Sequence, residues 1–146
     1  MSGKSQDFDY FDDILGKFSS YKEQPRKLII VATSTLEVLL NTLIGDKLKH
    51  SKKILEDSRD FSLYIKLILL SETNLITDSQ FNAFNALRKI RNRAAHDPIF
   101  KITESDIDSL YQHIEKTRKE LSHILMIILG GLWNRYLDLF LSKFRK

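Results

Sequence analysis

The sequence predicts an all-α helical bundle, and three observations predict it. Apolar residues return at steps of three and four through almost every segment, the spacing that lays one stripe along a helix. Polar Thr/Ser/Asp starts precede several stripes, and Pro25 and Pro98 punctuate them. No stretch shows the alternation of a strand, and there is neither a Gly-rich phosphate loop nor an internal repeat. A chain of 146 residues, 42% of them hydrophobic, can bury one core, so residues 1–146 are read as a single domain.

Taken in order, residues 7–21 carry Phe8, Phe11, Ile14, Leu15 and Phe18 on one face of a short helix. Asp7, Asp9, Asp12 and Asp13 stand where a helix N-terminus favours negative charge. Pro25 suits a first helical turn, and the long apolar pattern from Leu28 to Leu48 predicts a central helix packed on two sides. Glu37 is a carboxylate within it. Lys47, Lys49, His50, Lys52 and Lys53 form a basic cluster in a solvated connection. Residues 61–70 are apolar and helical and end in Ser71-Glu72-Thr73-Asn74, after which Leu75 and Ile76 return to the core. Thr77-Asp78-Ser79-Gln80 has the spacing of a capping box, and the helix it opens should stop near His96 or Asp97, because Pro98 disfavours helical backbone before it. Thr103-Glu104-Ser105-Asp106 offers another start, followed by one stripe through Ile107, Leu110, Ile114, Leu121, Leu125 and Ile128. Gly130-Gly131 is expected to break this long C-terminal helix. An aromatic, basic tail occupies 132–146. The apolar run 124–133 is shorter than the roughly 20 residues a bilayer needs, so it reads as core or helix–helix contact and no membrane is expected as a partner.

Composition narrows the chemistry. Without cysteine there is no disulfide framework and no thiolate zinc site; the cytoplasm is the simplest compartment, and neither metal nor cofactor is expected. The polar, then acidic N-terminus lacks the apolar core of a secretion signal. A net charge of +4 points to an anionic partner without choosing among nucleic acid, acidic protein and lipid.

The chain is organised around Ala86-Leu87-Arg88-Lys89-Ile90-Arg91-Asn92-Arg93-Ala94-Ala95-His96-Asp97-Pro98. Ala86, Leu87, Ile90 and Ala94 make its apolar stripe, while Arg88, Lys89, Arg91 and Arg93 leave on other sides. An arginine can grip a phosphate through a planar fork and neutralise the charge of a phosphorane-like transition state. A histidine can move the proton of a ribose 2′-hydroxyl or of a leaving oxygen near neutral pH. Asn92 and His96 share a face, whereas Arg91 is rotated from His96 by about 140° on an ideal helix. A twofold axis near this helix would bring two arginines and two histidines into one groove, which makes a homodimer a condition of activity. Spacing alone does not select this pair: Arg118 and His123 are equally separated, but in an apparently continuous helix with no proline to free the histidine.

The string Arg91-Asn92-x-x-x-His96 resembles the signature of the HEPN superfamily of small helical domains, many of them RNA-cleaving toxins and defence proteins. Phe61-x-x-x-Ile65, Asn74-Leu75-Ile76 and Leu87-Arg88-Lys89-Ile90-Arg91-Asn92-x-x-Ala95-His96 are similar to its mannitol operon repressor (MltR-like) branch, as is Leu36-Glu37 with Leu39-Leu40. The likeness covers about residues 26–100. Ala94 replaces the bulky apolar residue usual in that branch, and Asn74 a glycine, although asparagine also tolerates left-handed backbone. The resemblance implies a HEPN-like bundle with Arg91 and His96 as a catalytic pair, Asn92 orienting them and Glu37 a candidate fourth member. Arg88, Lys89 and Arg93 would hold RNA phosphates, and cleavage without metal would leave 2′,3′-cyclic phosphate ends. Two other settings stay open: a regulator that represses through a DNA-binding partner protein without catalysis, and a toxin silenced by an antitoxin. No helix-turn-helix that would read DNA is evident.

Overall fold

The computed structural model describes residues 2–114 and 118–144, with side chains from Tyr10 onward. Among these, eight helices follow one another: α1 (Ser2–Ser20), α2 (Pro25–Lys47), α3 (Ser51–Glu56), α4 (Leu63–Glu72), α5 (Asp78–His96), α6 (Glu104–Tyr111), α7 (Leu121–Arg135) and α8 (Leu137–Phe144). The all-α bundle is the fold the periodicity predicts. Leu28, Ile29, Ala32, Leu36, Leu39, Leu40, Leu43 and Ile44 are buried around α2, which packs against α1, α3, α4, α5, α7 and α8 and is the central helix.

The predicted start of α5 is present in full: the Thr77 hydroxyl accepts from the Gln80 amide at 3.1 Å, and Gln80 accepts from the Thr77 amide at 2.9 Å. Thr103 and Asp106 close the same box on α6. Asn74 has φ of +59°, the left-handed conformation that its place after α4 requires. There the Leu75 and Asn74 amides donate to the Leu70 and Ser71 carbonyls at 2.8 and 3.0 Å, which satisfies the end of α4 by a Schellman motif.

Four expectations are corrected. α1 begins at Ser2, so it runs through Asp7 instead of starting there; the side chains of Asp7, Phe8 and Asp9 lie outside the described residues. The basic connection contains helix α3, pinned by buried Ile54 packing under α2. The long C-terminal helix is interrupted at residues 112–114 and 118–120, with 115–117 outside the described residues, so Arg118 precedes α7 and does not share a helix with His123. Finally, α7 passes straight through Gly130-Gly131. Buried Leu129, Leu132 and Trp133 flank the glycines, and their burial outweighs the roughly 1 kcal/mol that each glycine costs a helix interior. The break falls instead at Tyr136, where α8 departs at 93° and the Tyr136 hydroxyl donates to the Leu75 carbonyl.

That bend folds the tail back onto α1. Trp133 stacks on Phe11 at 4.8 Å and on Phe140 at 5.4 Å, and Tyr10 stacks on Phe144 at 4.4 Å. The run 124–133 is therefore core and helix–helix contact, as the sequence suggests, and the aromatic tail, whose role the sequence leaves open, packs into the same cluster. Among the described helices, α2 alone is long and apolar enough to cross a membrane, and over half of its apolar window is buried inside the bundle. α7 and α8 are long and apolar enough only when taken together, and they are bent by 93° at Tyr136.

Candidate functional site

The site starts from the end of α5. Its last carbonyls need donors, and Arg26 in the first turn of α2 supplies them: one guanidinium nitrogen donates to the Ala94 carbonyl at 3.0 Å and the other to the Asp97 carbonyl at 2.7 Å. A cation in the first turn of a helix opposes that helix's own dipole; here it is stabilised by the negative end of α5. The chain beyond His96 is pinned as well. Arg26 and Arg93 both lie over the Phe100 ring, at 5.8 and 5.4 Å. The Asp97 carboxylate accepts from the Ile99 amide at 2.9 Å. On this fixed corner His96 is solvent-exposed and Ile99 is 76% exposed, the most of any large apolar side chain among those described.

Helices α2, α4 and α5 enclose a cleft of about 240 Å³ lined by Thr33, Glu37, Ser62, Leu63, Tyr64, Arg88, Arg91 and Asn92. Two guanidinium groups and one carboxylate leave it with excess positive charge. Among the described residues, Glu37, Arg91, Asn92 and His96 make no side-chain hydrogen bond or ion pair. Arg88 is fixed differently: its Nε donates to Asn85 Oδ1 at 2.9 Å and its guanidinium lies 4.9 Å from the Tyr64 ring centre.

The residues singled out from the sequence therefore divide. Glu37, Arg88, Arg91 and Asn92 share the cleft, and His96 stands one turn beyond Asn92 on the exposed end of α5 without lining it. Lys89 lines a separate polar cleft between α5 and α6. Arg93 is engaged: it forms a bidentate ion pair with Asp106 and donates to the Lys101 carbonyl at 3.2 Å. The Asp106 hydrogen bond raises the Arg93 pKa further above its ordinary value. Burial pushes the Asp106 carboxyl up, but hydrogen bonds from Arg93 and Thr103 outweigh it and hold the group below the usual carboxylate range.

Two residues escaped the sequence reading. Tyr64 sits in the apolar run of α4 and looks like core, yet it is 40% exposed because Leu67 and Leu70 take the buried face. Arg26 carried one legible signal, a positive charge placed next to Pro25 at the start of a helix, where the dipole disfavours it.

The class that fold and cleft define is a helical bundle with a basic, polar cleft beside the end of its fifth helix. Residues 19–125 match the family described as "Domain of unknown function (DUF4145)", and the chain belongs to that family. The match takes in the cleft and the Arg26 clamp and leaves out most of α1 and the tail from Met126 on. No curated protein and no solved structure matches the chain.

Proposed function

We propose that this chain is a HEPN-type domain that cleaves RNA without a metal, as a cytoplasmic homodimer. The observation that carries the reading is the convergence of Glu37, Arg91 and Asn92 on one cleft, with His96 a turn further along α5 and none of them hydrogen-bonded or ion-paired through its side chain among the described residues. An arginine that no carboxylate neutralises is available to a phosphate. A histidine at a pinned but exposed corner is available to a proton.

In the proposed reaction one imidazole takes the proton of a ribose 2′-hydroxyl, and the oxygen attacks the adjacent phosphorus. The bond to the 5′-oxygen breaks as a second imidazole gives that oxygen a proton. The products are a 2′,3′-cyclic phosphate and a 5′-hydroxyl. Arg91 carries the negative charge that builds on the five-coordinate phosphorus. Asn92, one turn before His96 on the same face, is assigned to orienting the imidazole once RNA is bound, and Glu37 is a candidate fourth member in the cleft with Arg91. One chain places one histidine here, so the second imidazole comes from a second copy related by a twofold axis.

The test is incubation of purified protein with single-stranded RNA at neutral pH in excess chelator. Cyclic-phosphate ends are expected, DNA of the same sequence stays intact for want of a 2′-hydroxyl, and His96→Ala slows cleavage by about 10² to 10⁴. Uncut RNA, or equal cleavage by a folded His96→Ala protein, overturns the reading.

A further inference from the structure

We propose that Tyr64 and Arg88 form a nucleotide subsite beside Arg91, which takes the unpaired base and the phosphate next to the scissile bond and confines the substrate to single-stranded RNA. This inference rests on the RNA-cleaving reading above and deepens it.

Tyr64 is a large ring left 40% exposed at the start of α4, inside the same cleft as Arg91 and Asn92. Its position is fixed from two sides: Phe81 packs against it at 6.4 Å, tilted by 53°, and the Arg88 guanidinium lies over it at 4.9 Å. Arg88 is itself held by its Nε bond to Asn85, while its terminal nitrogens have no partner among the described residues. The pair is thus an ordered aromatic and guanidinium platform, with little side-chain entropy left to lose when a ligand arrives. Unpaired bases stack on such rings and guanidinium planes. Arg88 and Arg91 are three residues apart on one helix and so are surface neighbours. Such neighbours have Cβ atoms about 5–6 Å apart, so two long side chains leaving one face can reach adjacent phosphates of a strand, the fork of Arg88 holding the phosphate next to the one at Arg91. An A-form duplex keeps its bases paired and inward, beyond reach of a ring set inside a cleft of about 240 Å³.

The experiment measures binding of a short labelled RNA by anisotropy at one fixed salt concentration, in the His96→Ala background so that nothing is cut. The single strand is compared with its duplex. Tyr64→Phe is expected to bind the single strand as its parent does, and Tyr64→Leu to lose about tenfold to a hundredfold in affinity. Arg88→Lys, which keeps the charge but not the plane, also weakens binding. In the active protein Tyr64→Leu raises KM and leaves kcat nearly unchanged. Circular dichroism establishes that each variant is folded. A parent that binds single strands while Tyr64→Leu binds them equally well, or that takes the duplex as tightly, overturns the subsite and leaves the cleavage reading intact. Wild-type protein that cuts no RNA, with a parent that binds none, overturns both.

Discussion

Two arginines on one helix, two residues apart, meet opposite fates. Arg93 is tied to Asp106, Lys101 and Phe100, whereas Arg91 faces a cleft with no partner among the described residues. Replacing them should separate structure from chemistry. Arg91→Ala is expected to leave stability within about 0.5 kcal/mol, as for surface changes, and to slow RNA cleavage by about 10² to 10³. Urea unfolding and initial rates on the same preparation check both halves. Asp106→Asn should do the reverse, with a pH dependence whose sign follows from its environment. Since the folded-state pKa lies below the unfolded value, the carboxylate stabilises the fold above about pH 4 and the benefit disappears as pH falls through the folded value. The gap in urea midpoint between wild type and Asp106→Asn is therefore expected to be constant from neutral pH to about pH 5 and to close in stronger acid. A gap that widens on acidification contradicts the ion pair.

At the level of the helix, ends were more legible than interruptions. Thr77 with Gln80 and Thr103 with Asp106 could be read because a cap is local chemistry, settled within four residues. Asn74 was legible only by comparison, as a residue that tolerates left-handed backbone where the resembled branch has glycine, and it does adopt that conformation. Gly130-Gly131 misled because the balance there is tertiary: Leu129, Leu132 and Trp133 hold α7 straight by burial that no local pattern reports. The bend at Tyr136 likewise depends on a hydroxyl reaching Leu75, 61 residues away. Of the candidate site residues taken from one string, Arg91 and Asn92 line the cleft and His96 lies beyond it, whereas Tyr64 could not be placed there from sequence, since exposure of a ring within an apolar run is decided by what packs beside it. Two predictions belong here. Asn74→Val, which forces a β-branched residue into left-handed backbone, should destabilise the protein by about 1–2 kcal/mol, with Asn74→Gly neutral or better, as read by thermal unfolding. Arg26→Ala, which frees the last carbonyls of α5, should cost about 2 kcal/mol and accelerate amide exchange across residues 94–101 above that elsewhere in the bundle.

For the whole molecule, the proposed chemistry makes oligomeric state a functional variable. Ile99 is the apolar side chain most exposed next to His96, so burial of Ile99 against a second copy would place the two imidazoles near one axis. Ile99→Asp is expected to shift the protein toward monomer in sedimentation and to lower cleavage in proportion, with helical content unchanged. A variant that is monomeric and fully active would remove the twofold site from the account. The opposite end of the bundle offers an independent gauge. The chain has a single tryptophan, and Trp133 lies 2% exposed between rings of α1 and α8. Its intrinsic emission therefore registers whether those two terminal helices remain docked. Because Trp133 does not line the Arg91 cleft, the signal should stay flat while nucleic acid is titrated in. A spectroscopist thus has a built-in lamp for integrity, kept apart from any label that follows occupancy.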